Sequence, residues 1–449
     1  MSPLSPTEPV LKNSAASSEN FDRESWSRNR GSLLVLFVVL LAQVWTLSRS
    51  HGYQLADSVE YMDRAWDVAR GHGLGSGSAR SFAFSSLLLP FFALADWLEL
   101  ESLKPIVWIL RGLQMTVGLL TIRVLIRTAT RLYSLQVAWV CALLLGLSPV
   151  FLRYTITPLS GPLAMLFMLL GFEALFAPPR LLAPNRFRQG LKAGCWMGLG
   201  MLVAYQTMLV AAPLAAIALL RDRLREVRFW LGFATIYIGL LLLQCFLDQA
   251  VYGKFGTTLL PYLGSNGGAI ITRILWDLGL EDQGAWVYLN FVEHDEIRAD
   301  YLDKSGASHQ IQSMDWYVRN LANELLSWPI IVLVTIGIAA VAIRPTWIRA
   351  AITFTLLANA TLMSLKGAKS FRLWLPILPL IALAAGDAVL LLRTAIDRKG
   401  KPLLRIVLNV IVAAGMIWGL GLAQQLELRR FGNFWSGMEL INKLARKHN

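Results

Sequence analysis

Apolar runs long enough to enter a lipid bilayer recur along the whole chain, and they leave very few folds open. They fall at 33–47, 82–98, 105–122, 135–152, 162–177, 193–205, 208–220, 229–246, 328–343, 348–363, 373–392 and 404–422. Inside a bilayer no water is present to satisfy backbone N–H and C=O groups, so only helices and closed barrels cross it. Runs approaching roughly 20 continuous apolar residues fit helices, not the shorter alternating strands of a barrel. Of the 449 residues, 55% are hydrophobic and only 16% charged. A chain of this length has room for two or three soluble domains, but the recurrence of the runs overrides that expectation. The fold class is therefore all-α: a polytopic transmembrane helical bundle with about 11 spans.

The formal net charge is +13. In a soluble protein such an excess points to nucleic acid. Here most Lys and Arg lie between apolar runs, where they set orientation by the positive-inside rule, and no nucleic-acid partner is expected. Arg23, Arg28 and Arg30 precede the first run, which places the N-terminus in the cytoplasm. If 82–98 lies in the interface and does not cross, the clusters at Arg123–Arg131, 180–192, 221–228, 344–349 and 393–405 all fall on the cytoplasmic side as well. Residues 1–31 are rich in Ser, Pro and Asn and read as a disordered cytoplasmic segment. They are too polar for a signal peptide, and the first run reads as a retained anchor. The membrane body then occupies 32–422, with two large outer loops at 49–104 and 247–326 carrying amphipathic helices. A C-terminal tail, 423–449, completes the chain. The three cysteines, Cys141, Cys195 and Cys245, show no paired spacing, so neither a disulfide framework nor a zinc site is indicated.

Chemistry can be sought where charge breaks the apolar pattern. Directly after the first run, residues 52–67 hold Asp57, Glu60, Asp63 and Asp67. On a helix, spacings of three and four place these acids on one face. Such a face at a membrane surface suits proton abstraction or cation binding. A solvated amphipathic helix between two spans accounts for it equally well. Near the far end of the chain, Lys366, Lys369 and Arg372 cluster at an outer junction, against the orientation trend. They fit an anionic group such as a phosphate, or snorkelling toward lipid headgroups. Arg153 and Tyr154 stand at another outer span end, and Arg111 lies within an apolar run, where a charge hints at function or pairs with a neighbouring helix. Asp248 and Lys254, with Tyr252 and Thr258, open the second outer loop. His294, Asp295, Glu296 and His309 are weak metal candidates, because three successive residues on a helix cannot converge on one ion. No cofactor is called for, and a divalent metal, though compatible, is not indicated.

Together these residues resemble the GT-C superfamily of polytopic glycosyltransferases, which take a sugar from a polyprenyl phosphate carrier. The likeness is greatest to mannosyltransferases that use dolichyl phosphate mannose, and to their bacterial relatives. Four stretches carry it. The first is Asp57, the helix around Tyr61–Ala65, Gly71-His72-Gly73, and Arg80-Ser81 before an apolar run with Pro90. The second is Arg153 through Leu159, and the third is Asp248 with Tyr252-Gly253-Lys254, Thr258 and Asn266. The fourth is Ala368-Lys369-Ser370-Phe371-Arg372-Leu373 followed by Pro376 and Pro379, where the family has His-Lys-Glu-x-Arg-Phe before a Pro-x-x-Pro span. Ser58 stands where the family usually has a second acid, and Ala368, Ser370 and Leu373 where it has His, Glu and Phe.

The resemblance implies an inverting transfer of a hexose, with mannose the first choice, to a hydroxyl of a lipid- or glycan-linked acceptor. It implies Asp57 as general base and Lys369, Arg372, Lys366 and Arg153 as ligands of the donor phosphate. Glu60, Asp63, Arg80, Asp248 and Lys254 would line the substrate site. The reaction would take place on the outer or lumenal face of a multi-pass membrane protein, in a bacterial inner membrane or, alternatively, the endoplasmic reticulum. The absence of a Gly-rich nucleotide loop agrees with a lipid-linked donor. A transporter or flippase of lipid-linked sugars, and a membrane scaffold without catalysis, are the competing classes. The expectation that ties these residues together is spatial: Asp57, Lys369 and Arg372 should line one outward-facing cavity.

Overall fold

The structure, a computed structural model, describes residues 14–50, 56–72, 81–100, 102–176, 185–222, 226–288, 290, 315–365 and 370–429. Among the described residues there are helices and turns and no strand. In chain order the helices are α1 (Ser14–Arg49), α2 (Ala56–Ala69), α3 (Ala83–Trp97), α4 (Lys104–Leu132), α5 (Leu135–Gly146), α6 (Pro149–Tyr154), α7 (Ser160–Phe176), α8 (Arg186–Val203) and α9 (Met208–Asp222). They continue as α10 (Val227–Tyr252), α11 (Leu259–Asp277), α12 (Glu281–Val287), α13 (Trp316–Asn320), α14 (Trp328–Ile343), α15 (Trp347–Leu365), α16 (Leu378–Arg398) and α17 (Pro402–Arg429). A π turn, Leu321–Leu325, follows α13, and a 3-10 turn, Phe371–Ile377, leads into α16.

Six stretches among the described residues are long and apolar enough to cross a membrane: Arg30–Arg49, Lys104–Leu132, Val227–Tyr252, Trp347–Leu365, Phe371–Arg398 and Pro402–Glu427. Five more apolar helices, including α5, α7 and α14, run only 10–17 residues. The protein is a polytopic helical membrane bundle. The run 135–152 divides into two helices because Ser148 caps a new one, accepting from the Phe151 N–H with Pro149 in the first turn. The first helix begins at Ser14, inside the segment expected to be disordered; Ala, Glu and Arg in that stretch are good helix formers. The last helix continues through Arg429, past the limit of 422 expected for the final apolar run.

The stretch Phe371–Arg398 lies at the centre, and every residue from Leu378 to Val389 is buried. Small residues let helices meet it and one another closely, as membrane packing requires when lipid is as apolar as leucine. The tightest contact joins α8 and α10. A Cβ on Gly190 would fall 1.9 Å from the Phe229 carbonyl oxygen, and one on Gly194 would fall 2.4 Å from that of Phe233. Packed against the bundle, α2 and α3 form a helical hairpin, with Tyr61 edge-on to Phe84 at 5.0 Å and Trp66 against Phe92.

The charges divide between two ends of the bundle. On α4, Arg111 hydrogen-bonds Ser50 at the end of α1 at 3.0 Å. Sixteen residues further along, at roughly 24 Å for a rise of about 1.5 Å per residue, Arg127 pairs with Glu173 of α7. Arg131 joins the same carboxylate. Arg221 bonds the Leu175 carbonyl at that end, and Arg349 holds the buried Asp387 through contacts of 2.6 and 2.9 Å. The Arg349–Asp387 pair sits at the opposite end of the central stretch from Arg372.

Candidate active site

Two residues from opposite ends of the chain meet at the other end of the bundle. Asp57, in the first turn of α2, presents its Oδ2 to the Arg372 Nη1 at 2.7 Å. The side chains are 18% and 32% exposed, so the pair is reachable from solvent. Arg372 is placed by the 3-10 turn: Ser370 caps it, accepting from the Arg372 N–H, and Pro376 and Pro379 favour the tight entry into α16. Tyr317 of α13 pins the same corner. Its hydroxyl accepts from the Ser370 N–H at 3.1 Å, and its ring packs against Phe371 and Trp374. Tyr61, one turn on from Asp57, hydrogen-bonds Ser160 at the start of α7 at 3.1 Å. The α2 segment is thus fastened to the bundle beside the Asp57–Arg372 corner.

Tyr154 forms the adjoining wall. Burial pushes its phenol above the ordinary range, while the charges of Arg153 and Arg372 and a hydrogen bond to Ser370 oppose that rise. Arg153 itself is buried, with its Nε 3.1 Å from Oε1 of Glu427 near the end of α17. Its Nη2 is buried and has no hydrogen-bond partner among the described residues. The pair belongs to a polar seam between α1, α4, α6 and α17. There Gln43 donates to Thr155 at 2.8 Å, Gln424 donates to Thr46 at 2.9 Å, and Arg111 lies within the field of Glu427. Glu324, in the π turn, has its carboxyl raised above the ordinary value by burial, with Arg153 acting against the shift.

Asp248 is placed differently. It is 1% exposed, and its oxygens accept from the Gln244 amide at 2.7 Å, the Thr258 N–H at 2.9 Å and the Thr258 hydroxyl. Gln244 in turn accepts from Ser81 at 2.8 Å. These bonds tie the end of α10 to the start of the 81–97 hairpin arm, and they direct Asp248 toward its own neighbours. Arg64 on α2 bonds Tyr252 and lies 5.4 Å from the Phe82 ring, fastening the same junction. Glu60 is half-buried on α2, Asp63 is exposed there, and Lys254 is exposed in the turn after α10. Arg80, Lys366 and Lys369 lie outside the described residues, as do His294, Asp295, Glu296 and His309. Glu427 was missed from sequence. Its sequence signal is an acid close behind an apolar run that stops at 422, whereas the helix itself runs on through Arg429.

The model of the Alg9-like mannosyltransferase family matches residues 76–448. Among solved structures, the chain is similar to the archaeal oligosaccharyltransferase AglB from Archaeoglobus fulgidus, in complex with an inhibitory peptide and a dolichol-phosphate. The TM-score is 0.57 at 12% identity over 90% of this chain and 56% of that one, so the chain spans little more than half of its length. It is also similar to ArnT from Cupriavidus metallidurans bound to undecaprenyl phosphate, with TM-score 0.54 and 12% identity over 87% of this chain and 76% of that one. No curated sequence matches the chain. The similar structures share the helical-bundle fold, and with the family match the class is a polytopic membrane protein of the GT-C superfamily. The chain belongs to the Alg9-like mannosyltransferase family.

Proposed function

We propose that this protein transfers a hexose, mannose by its family, from a polyprenyl-phosphate donor to a hydroxyl of a lipid- or glycan-linked acceptor. The observation that carries this reading is the contact between Asp57 and Arg372 at 2.7 Å. It sets a carboxylate able to take a proton beside a cation able to take a phosphate. Dolichol-phosphate and undecaprenyl phosphate bound in the similar archaeal and bacterial structures support a carrier of the same kind here. The site lies at the end of the bundle away from Arg127, Arg131, Arg221 and Arg349, which by the positive-inside rule supports an outer or lumenal position.

The step is a single displacement. The acceptor oxygen attacks the anomeric carbon as the bond from that carbon to the phosphate oxygen breaks, and the polyprenyl phosphate leaves with the bonding electrons. Configuration inverts, and the acceptor proton passes to Asp57. Arg372 neutralises charge on the departing phosphate, with Lys369, Lys366 and Arg153 as further cations.

Membranes carrying the protein, given radiolabelled polyprenyl-phosphate mannose and a mixture of lipid-linked acceptors, should form labelled product. Asp57→Asn should lower the rate by about a hundredfold or more at unchanged expression, the range of a lost general base. Transfer surviving that substitution would remove Asp57 from this role.

A further inference from the structure

The seam behind the site contains a residue that no motif singled out. Glu427 and Arg153 form an ion pair whose side chains are 4% and 5% exposed. Removing two charges from water in this way is costly, and apolar replacements of such pairs are often neutral or stabilising. Stability alone is therefore a poor reason for the pair. The guanidinium is also used incompletely. Glu427 takes the Nε side, while Nη2 is buried and unpartnered among the described residues. An unmatched buried donor is costly, yet amide oxygens of Gln43 and Gln424 in the same seam stand equally unmatched and do not reach it.

Those amides cannot be reversed to help. Thr155 and Thr46 already donate their hydroxyl hydrogens to the carbonyls of Phe151 and Ala42, so each Gln must present its NH2 to the threonine and keep its oxygen apart. Arg153 is moreover adjacent in sequence to Tyr154, whose phenol feels both Arg153 and Arg372 and bonds Ser370. The guanidinium carbon sits 5.4 Å from the Tyr154 ring centroid. The Arg153 guanidinium and the solvent-reachable Arg372 thus both act on one phenol.

We propose that Glu427 is a positioning residue: from the last helix it anchors Arg153 by the Nε edge, so that Nη2 is held ready for a second oxygen of the carrier phosphate beside Arg372. This inference rests on the phosphate-carrier reading above. It assigns the end of α17 a part in the site, through Arg153 and without contact to the substrate.

The probe is undecaprenyl phosphate binding to the purified full chain in detergent, with thermal unfolding recorded alongside. Arg372→Ala should weaken binding, which tests the site itself. Glu427→Met should weaken it about tenfold or more, the range of one charge-assisted hydrogen bond. Glu427→Gln keeps an acceptor at the same place and should restore binding to near the native level. If Glu427→Met fails to fold because Arg153 is left buried and unpaired, the double variant Arg153→Met with Glu427→Met removes both charges. It should fold and still bind the carrier about tenfold more weakly than the native chain. Native binding by the double variant, or native or tighter binding by a folded Glu427→Met, would overturn the proposal provided that Arg372→Ala weakens binding. If neither Arg372→Ala nor these changes alter binding, the carrier reading itself falls, and the inference falls with it.

Discussion

Asp57 is one of several acids on α2, and its surroundings separate it from the rest. Asp63 is exposed on the same helix, whereas Asp57 meets a guanidinium brought from the far end of the chain. Glu324 lies where burial dominates. Burial raises its carboxyl above the ordinary 4.5, although Arg153 opposes the shift. A carboxyl with a raised folded value keeps its proton longer in the native than in the unfolded state, so unfolding releases protons between the two values. Stability then falls as pH climbs from about 4.5 through the folded value and levels off above it. Glu324→Gln should remove that fall. Thermal unfolding in detergent across this window should show the variant gaining on the native protein as pH rises. Parallel curves at every pH would mean that Glu324 titrates alike in both states.

At the scale of elements, the close meeting of α8 and α10 is held by shape. Gly194→Leu should push the two helices apart and destabilise the bundle by about 1–3 kcal/mol, the usual cost of overpacking, because the Phe233 carbonyl stands in the way together with the β-branched Ile236. The readout is a lower unfolding temperature with a donor affinity that is little changed in the folded fraction. An unchanged unfolding temperature would show that the helices separate freely. Much of this level was legible in the sequence. Apolar runs located the main helices, and the acids after the first run located α2. The division of 135–152 was written in Ser148-Pro149, a capped restart hidden within continuous apolar residues. Asp248 was legible as an unusual acid at a span end. Its bond to Gln244 is a turn back on the same helix, but its bonds to Thr258 depend on a turn at Gly253, where φ is +71°, and span periodicity does not encode that turn. Glu427 was hidden for a simpler reason: an apolar stretch does not announce where its helix stops, and the acid lay just past the apparent end.

At the scale of the whole molecule, the account requires that the two ends of the chain close on one site, on the face opposite the basic clusters. The fold arranges this with the central stretch Phe371–Arg398, which carries Arg372 at one end and Asp387, paired with Arg349, toward the other. The deciding measurement is cross-linking from outside the membrane. In a chain whose Cys141, Cys195 and Cys245 are replaced, Asp57→Cys and Arg372→Cys are introduced together, and sealed vesicles of known orientation receive a short bifunctional thiol reagent that does not cross lipid. The account predicts a cross-link between the two positions formed from the outer or lumenal side and absent in either single variant. A pair that reacts only from the cytoplasmic side, or never cross-links although each thiol is labelled, would contradict it.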